Sequence, residues 1–547
     1  MCLVPTLRLL TISAVTVFHP VVSHAAPEWK SLFNGKDLTG WSVTIDKLPQ
    51  DQDPAKLVQV RDGAIHMYPD ANPDLAAPFG VITSEGTYSR FHLALEYRWL
   101  EKKFAPRKDK LRDAGLLYYA SNTGKIWPSS VEYQIQEGDS GDIIFISESG
   151  VSWLHPEPDL APPGQGEAGL LPENGGILQV AKNQTYFGRF PEHDNLTGWN
   201  RAEVIVHADE SAEHILNGHV RSRLANIRHL QGGVLKEGKI CLQLEGAEIQ
   251  YRKIEIRELD EPLRVDKTLL SLSAVKDQPI RNGTITVKNP LDRPVSANLS
   301  IIGKDKDAFS AYAPVMSLGA GESTQVTVSF RPPSKASRCS AGLRIGTQEE
   351  GAFVVLQGIG LTAFEGENEP PLQTIVNALG IPLNVGGVEL KLDTKAATIG
   401  DGLAVSYFQK AGNGKVHITP LARFSPPGEI SLGIVAKGKT TLIEIGKLAD
   451  SGVVADAHQC LFPPADIADY EPAAESFAFY LKAHHYTSFT DPALPTEANI
   501  PHTARIFPVS HFGGRVCDHA FLVCFEEASN GDYQDAVFLI ENIKPAP

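Results

Sequence analysis

The chain has 547 residues, of which 42% are apolar, 8% aromatic and 21% charged. This length and apolar content predict two to four domains with buried cores and exclude a disordered chain. The 65 Asp and Glu residues outnumber the 50 Lys and Arg residues, so the formal net charge is −15. An acidic chain lacks the positive surface used by proteins that bind nucleic acids or anionic membranes. We therefore expect no nucleic-acid partner.

The N-terminus has the pattern of a secretory signal peptide. Arg8 precedes an apolar stretch over residues 9–22, and Ser23-His24-Ala25 places small residues where signal peptidase requires them. We predict cleavage after Ala25 and a mature protein that is secreted or periplasmic. No other stretch approaches the roughly 20 apolar residues of a membrane span, so we expect no transmembrane segment.

Cysteine usage agrees with export but does not establish it. Loss of Cys2 with the signal peptide leaves Cys241, Cys339, Cys460, Cys517 and Cys524. This odd, sparse set predicts one disulfide at most, and its spacing is not that of a zinc site. The apolar alternation around Cys241 predicts a buried thiol.

Short alternating runs bounded by Gly, Pro, Asn and Asp recur along the chain, whereas long helical periodicities are scarce. This pattern predicts a mostly β protein. After the signal peptide at 1–25, we divide the chain into an N-terminal domain at 26–260, an immunoglobulin-like β-sandwich at 262–362, a linker at 363–371 and a C-terminal β-rich module at 372–547. The linker prediction depends on the acidic, Pro-containing stretch from Glu365 to Pro371. The middle segment resembles the spacer modules of large exported bacterial proteins.

The N-terminal domain carries a series of motifs in a recognisable order. The first is Trp29-Lys30-Ser31-Leu32-Phe33-Asn34-Gly35-Lys36-Asp37-Leu38-Thr39-Gly40-Trp41, and the others occupy residues 95–99, 114–119, 130–139, 198–200, 216–218 and 254–259. On these motifs, residues from about Glu28 to Leu259 resemble the 3-keto-disaccharide hydrolase family. The resemblance implies a concanavalin A-like jelly-roll sandwich that cleaves 3-keto-glycosides.

The chemistry that this resemblance implies needs a base, an acid and donors to an enolate oxygen. In the strand predicted over residues 130–136, period-2 alternation places Glu132, Gln134 and Gln136 on one face. Such a polar face suits sugar binding. Glu132 is our candidate base, with Gln134 and Arg98 as donors. The alternative is a surface carboxylate paired with Arg98.

Other side chains are candidates for the acid and for substrate contacts. His155 and His193 could supply the acid, or lie in solvated loops. Glu96 shares one strand face with Arg98, and the two could equally form a structural ion pair. Tyr119 could join them from a neighbouring strand, Gln136 extends the Glu132 face, and Trp127 could stack on a sugar ring.

Two acidic turns are candidate sites for Ca²⁺ or another divalent cation. The first spans residues 137–142 and offers Asp139 and Asp142; a plain hairpin is the alternative. The second spans residues 530–535, resembles the terminal motif of calcium-associated β modules, and offers Asp532 and Asp535 near Glu526 and Glu527. A solvated hairpin is the alternative there.

The sequence therefore predicts an exported, carbohydrate-active hydrolase or lyase that acts on a 3-keto-glycoside. The alternative is a non-catalytic carbohydrate-binding protein, or an adhesion protein with cell-surface or other β-domain partners. The chain has no Gly-x-Ser-x-Gly, phosphate-loop or His-Glu-x-x-His motif, so serine hydrolase, nucleotide-binding and zincin functions have no support.

Overall fold

The computed structural model describes residues 28–154, 171–181, 186–187, 193–314, 316–450 and 457–547. In these residues the protein is mostly β, with a single α-helix, α1 (Leu372–Ala378). None of the described helices has the length and apolar character needed to cross a membrane. The predicted signal peptide at 1–25 lies outside the described residues.

Two antiparallel sheets form the N-terminal domain. Their strands are β1 (Lys30–Ser31), β2 (Trp41–Ile45), β3 (Val58–Arg61), β4 (Ala64–Met67), β5 (Gly80–Ser84), β6 (Arg90–Lys103), β7 (Asp113–Ser121), β8 (Ser129–Gln136), β9 (Ile143–Ile146), β10 (Glu148–Leu154), β11 (Ile177–Ala181), β12 (Tyr186–Phe187), β13 (Asn200–His207), β14 (Ser211–Leu216), β15 (His219–His229), β16 (Lys239–Leu244) and β17 (Ala247–Glu258). Sheet A has the order β11-β10-β15-β14-β13-β6-β17-β4-β3, with β1 on β17, and sheet B has the order β12-β9-β8-β7-β16-β5-β2.

The core of this domain lies between the two sheets. Tyr97 and Trp99 of sheet A pack in the same apolar cluster as Tyr133 and Ile135 of sheet B. Because successive side chains of a strand point to opposite faces, the residues between them point away from the core. The outward positions of β8 are therefore occupied by the polar residues predicted from the sequence.

The middle domain is a β-sandwich of two four-stranded sheets and a two-stranded ribbon. Its strands are β18 (Arg264–Val265), β19 (Leu269–Val275), β20 (Arg281–Lys288), β21 (Val295–Ser296), β22 (Leu299–Ile302), β23 (Phe309–Tyr312), β24 (Ser317–Leu318), β25 (Ser323–Phe330), β26 (Ser337–Ile345) and β27 (Ala352–Leu361). The sheet orders are β18-β20-β25-β23 and β19-β27-β26-β22, with β21 paired to β24. The alternating burial of β25 reflects a strand with one face on this domain's core.

The C-terminal domain is a second, larger sandwich. Its strands are β28 (Phe408–Lys410), β29 (His417–Phe424), β30 (Ile430–Ala436), β31 (Leu442–Leu448), β32 (Gln459–Leu461), β33 (Ala465–Ile467), β34 (Phe477–Lys482), β35 (Thr487–Phe489), β36 (Ala504–Phe512), β37 (Arg515–Phe525), β38 (Ala536–Glu541) and β39 (Ile543–Pro545). One sheet has the order β33-β31-β30-β34-β28-β39, with β35 on β34; the other has the order β32-β29-β38-β37-β36.

The stretch predicted as a linker at 363–371 is packed against the C-terminal domain. Glu369 is buried and accepts hydrogen bonds from Gln459 Nε2 at 2.7 Å and Gln534 Nε2 at 3.0 Å. The two prolines that suggested a spacer lead directly into α1, whose first residues suit a preceding proline. Helix α1 packs in one apolar cluster with Ile359 and Leu361 of β27. The linker prediction is therefore wrong, and the two accessory domains share a core.

The middle domain also contacts sheet A of the N-terminal domain. Glu349 binds His92 Nδ1 at 2.5 Å and pairs with Arg257, while Arg344 donates to Glu213 at 2.6 Å. His92 lies on the outward face of β6, between the core residues Phe91 and Leu93. Sheet A is thus the side of the sandwich that binds the middle domain.

All five cysteines of the described residues are buried, and none of them forms a disulfide. Cys241 is buried in sheet B, as its apolar alternation predicts, and lies 3.3 Å from Thr83 Oγ1.

Candidate active site on sheet B

On the outward face of sheet B, Gly115 leaves room for the side chains of its neighbours. In the register of β7 and β8, Gly115 lies opposite Gln134 and Leu117 lies opposite Glu132. A Cβ atom on Gly115 would collide with the side-chain oxygens of Glu132 and of Gln243 from β16. The missing side chain therefore allows a carboxylate and an amide from the two flanking strands to meet above the backbone of β7.

Two more carboxyl groups, those of Asp113 and Glu245, lie further along the same face. Asp113 precedes Gly115 by two residues and forms an ion pair with Arg107. Arg107 also lies 3.6 Å from the Glu245 carboxylate and 3.5 Å from Gln136 Oε1. Three carboxyl groups (Glu132, Asp113, Glu245) therefore share one cation on this face.

This imbalance and the burial of the site shift the carboxyl pKa values. Burial, followed by the charges of Glu245 and Asp113, holds the pKa of Glu132 well above its usual range, and Arg107 only partly opposes this. Burial and the charge of Glu245 raise the pKa of Asp113 to about 8. Clustered carboxyl groups with raised pKa values are typical of sites that transfer protons.

Several buried polar atoms of this face have no hydrogen-bond partner in the described part of the chain. They are both side-chain heteroatoms of Gln243, Gln134 Oε1 and Asp113 Oδ1. Most buried polar groups are paired, and leaving one unpaired costs about 1–3 kcal/mol. A cluster of such atoms on one face is suited to bind the hydroxyl groups of a polar ligand.

Aromatic side chains form one edge of the face. Trp127 is 46% exposed, donates Nε1 to Glu245 Oε1 at 2.9 Å and packs edge-on against Phe79 with ring centroids 5.8 Å apart. Gln136, at the end of β8, is half-buried and donates to Asp139 at 2.5 Å. The face therefore combines carboxylates, amides and an exposed ring.

Two predicted substrate contacts lie on the other sheet. Arg98 and Glu96 occupy outward positions of β6 in sheet A, on either side of the core residue Tyr97. Arg98 donates to Gln250 at 2.7 Å, and Glu96 accepts from Arg252 at 2.7 Å and Lys253 at 2.8 Å. The prediction that Arg98 works beside Glu132 is wrong, because the core of the sandwich separates the two faces.

Tyr119 and His193 are not brought to Glu132. Tyr119 is fully buried, and its hydroxyl donates to the Ser89 carbonyl at 2.5 Å, so the predicted substrate contact is wrong. His193 stacks on His219 with centroids 4.0 Å apart, and burial with the His219 charge lowers its pKa. Its neighbour Asp194 accepts from Gly138, which places His193 near the turn at 137–142. His155 lies outside the described residues.

The two acidic turns have different geometries. In the turn at 137–142, the Asp139 carboxylate accepts a hydrogen bond from the Gln136 side chain. Asp142 is buried, and its backbone carbonyl accepts a hydrogen bond from the backbone N–H of Gln134. Within the described residues, this turn does not bring three possible metal ligands together, whereas the C-terminal turn does, through Asp532 and Asp535 with Glu526.

Five residues of the face were missed from the sequence. Period-2 alternation, applied to β7 as it was to β8, would have placed Asp113 and Gly115 on the outward face. Gln243 is a polar residue within an apolar alternation, which is a signal of the same kind. Arg107 and Glu245 come from loops outside the strands and reach the face only through folding, so no local pattern predicts them.

Comparisons with known proteins concern the same N-terminal domain. Residues 28–257 match the family model described as the 3-keto-alpha-glucoside-1,2-lyase-like domain. A Bacillus subtilis protein of unknown function with a galectin-like fold is 12% identical, with 43% of this chain and 96% of that chain covered and a TM-score of 0.25. A carbohydrate-binding module (CBM66) from Bacillus subtilis is 8% identical over 33% and 82%, with a TM-score of 0.21. Porphyranase B from Zobellia galactanivorans is 10% identical over 44% and 97%, with a TM-score of 0.23. No curated protein matches the chain.

Proposed function

We propose that the protein cleaves 3-keto-glycosides on the outward face of sheet B; the match of residues 28–257 to the 3-keto-alpha-glucoside-1,2-lyase-like family model supports this proposal. The family gives the domain a carbohydrate-related function. The observation that carries the finer proposal is the buried Glu132 carboxylate, which meets Gln243 above Gly115 and has a strongly raised pKa.

Glu132 is the base of the proposed reaction. A carbonyl at C3 of the sugar acidifies the hydrogen on C2, and Glu132 takes this proton while the bonding electrons form an enolate. The enolate then restores the C3 carbonyl, a C1=C2 double bond forms, and the bond from C1 to the glycosidic oxygen breaks. Addition of water across the double bond returns a hydroxyl to C1 and a hydrogen to C2. Because its pKa is raised well above the usual range, the ionised Glu132 is a stronger base than an ordinary carboxylate.

Neighbouring groups supply the acid and the hydrogen-bond donor to the enolate oxygen. Asp113, with its pKa near 8, keeps its proton at neutral pH and can donate it to the departing oxygen. Asp113 is two residues from Gly115, about 7 Å along the strand, a distance that a sugar ring can span. The amide of Gln243 offers an unpaired donor to the enolate oxygen, where developing charge needs it.

The edge of the face suits the sugar itself. Trp127 presents an exposed ring, held in place by Glu245 and Phe79. A ring in this position can stack on the apolar face of a pyranose, while Gln134 and Gln136 bind its hydroxyl groups.

The decisive assay measures sugar release and enone absorbance from 3-keto-trehalose and a panel of 3-keto-glucosides. Glu132→Gln should lower kcat/KM by about 10²-fold or more, since it removes the base without changing the shape of the side chain. Glu96→Gln is the matched control on sheet A and should keep full activity. A folded wild-type protein that turns over none of the substrates would reject the proposal, as would an active Glu132→Gln variant.

The exposed Trp127 ring also supports a second candidate, a binding protein without turnover. Calorimetric titration with unoxidised glycans distinguishes the two. Binding that Trp127→Ala weakens, in the absence of any turnover, would favour the binding protein.

The proposed site of action is outside the cytoplasm. The pattern at residues 1–25 supports this, and the test is the mature N-terminus of the protein expressed with its own leader. A chain that begins at Ala26 in the extracellular or periplasmic fraction is expected; an intact cytoplasmic chain would contradict it.

A further inference from the structure

A second cluster of buried acidic side chains lies in the C-terminal domain. The turn at 526–535 joins β37 to β38, and the side chains of Glu526, Asp532 and Asp535 are at most 3% exposed. One carboxylate oxygen of each residue lies within 4.8 Å of the other two. Since Ca²⁺–oxygen distances are about 2.3–2.6 Å, one ion could contact all three oxygens. The alternative of a solvated hairpin is therefore wrong.

The backbone of the turn fixes the orientation of these carboxylates. Glu526 accepts four backbone N–H groups at 2.9–3.2 Å, from Ala528, Asn530, Gly531 and Tyr533. Asp535 accepts the N–H of Glu527 at 2.5 Å. The carboxylates are thus held in position by their own turn.

Two oxygens in the cluster are buried without a hydrogen-bond partner among the residues that the structure describes. Asp532 Oδ2 accepts from Asn530 Nδ2 at 2.7 Å, while its Oδ1 is unpaired. Gln534 is fully buried, and its Nε2 donates to Glu369 at 3.0 Å, while its Oε1 is unpaired. The Gln534 amide lies beside the Asp532 carboxylate, so it belongs to the cluster. Neutral donors do not satisfy these oxygens, and oxygen is the ligand atom that hard cations prefer.

Negative charge in the cluster exceeds the nearby positive charge. Glu527 and Glu369 are also buried there. His484, Arg423 and His485 are the cationic groups near Glu527, and the Arg423 guanidinium donates to a serine hydroxyl and two backbone carbonyls. Additional positive charge would therefore stabilise this turn.

We propose that Glu526, Asp532 and Asp535 bind a hard divalent cation, Ca²⁺ in particular, with the amide oxygen of Gln534 as a further ligand. Ca²⁺ takes six to eight oxygen ligands from carboxylates, amides and water, and this set offers oxygen alone. The proposal does not depend on the function of sheet B.

The position of the site gives the cation a structural role. Gln534 holds Glu369, which directly precedes the prolines that lead into α1. Helix α1 packs against β27 of the middle domain. The bound cation therefore ties the turn to the junction between the two accessory domains.

The test uses the full mature chain, stripped with chelator and dialysed against Ca²⁺. One Ca²⁺ per chain is expected by elemental analysis, and terbium should give luminescence sensitised by nearby tyrosines such as Tyr533. Asp532→Asn, which changes one charged oxygen and keeps the side-chain shape, should weaken binding by about 10-fold or more. Asp139→Asn, in the other acidic turn, is the matched control and should bind as the wild type does.

Thermal unfolding separates a cation ligand from a residue that only supports the fold. Ca²⁺ should raise the unfolding temperature of the wild type by several degrees and that of Asp532→Asn by much less. Without Ca²⁺, Asp532→Asn should be at least as stable as the wild type, because it removes a buried charge beside Glu526. A folded wild type that binds no Ca²⁺ at about 1 mM, the weak end of calcium modules, would overturn the proposal. So would a variant that is equally destabilised with and without Ca²⁺.

Discussion

Gly115→Ala is the substitution that most directly tests the site on sheet B. The added Cβ atom would occupy the space in which the side-chain oxygens of Glu132 and Gln243 meet. Carbon atoms need about 3.5 Å from their neighbours, so Gln243 Oε1 must retreat by about 1.6 Å and Glu132 Oε1 by about 1.2 Å. The Ala variant should still fold, because overpacking of this kind typically costs about 1–3 kcal/mol.

The loss of activity should be much larger than the loss of stability. Displacement of a catalytic group by about 1 Å can cost 10²-fold in rate, so we expect kcat/KM to fall by about that factor. The assay compares turnover of a 3-keto-glycoside with the midpoint of thermal unfolding for the same preparation. Gly124→Ala is the matched control, since a Cβ there meets no atom within 4 Å. Full activity in Gly115→Ala would refute the role of Glu132 and Gln243.

Three further predictions concern charge, stacking and the domain interface. If Glu132 is the base, a pH–rate profile should show kcat/KM rising with pH through the raised pKa of Glu132. Asp113→Asn removes a negative charge and should move this rise to lower pH, whereas Arg107→Gln removes a positive charge and should move it to higher pH. Loss of the Asp113 proton should add a falling limb near pH 8; a profile without the rising limb would contradict the role of Glu132 as base. Trp127→Ala should raise KM by roughly 2- to 10-fold, whereas Trp127→Phe should keep most of the affinity. Arg223 forms ion pairs with the buried carboxylates of Glu173 and Glu213. Arg223→Met removes this partner and should lower the free energy of unfolding by about 3–5 kcal/mol, as measured by denaturant unfolding. A loss below about 1 kcal/mol would contradict this ion-pair assignment.

Local alternation correctly predicted the strand that carries the candidate base. Residues 130–136 were predicted as a strand with Glu132 outward, and they lie within β8 with that orientation. A period of two is a property of the backbone, so it survives folding. It does not say which sheet a strand joins. Arg98 has the right parity, but β6 pairs with β13 and β17 in sheet A, and pairings this distant in sequence leave no local signal.

The error at Tyr119 has a different cause. Regular alternation from Asp113 through Leu117 would place Tyr119 on the same outward face. The register of β7 against β8 shifts after Tyr118, and Tyr119 has a φ of 56°. A bulge of this kind inserts an extra residue and turns the following side chains. Both tyrosines consequently pack in the core, and sequence parity fails at that point.

The same residue types form two acidic clusters whose different geometry favours different chemistry. On sheet B, Glu132 lies above Gly115, and Asp113 is two residues from Gly115 along β7. Arg107 forms an ion pair with Asp113. Separated carboxyl groups with raised pKa values can hold or transfer protons one at a time. In the C-terminal turn, three carboxylate oxygens converge within 4.8 Å, and no other group of three possible ligands in the described residues does so. Converging oxygens repel one another unless a cation lies between them, so the first arrangement favours proton transfer and the second favours metal binding.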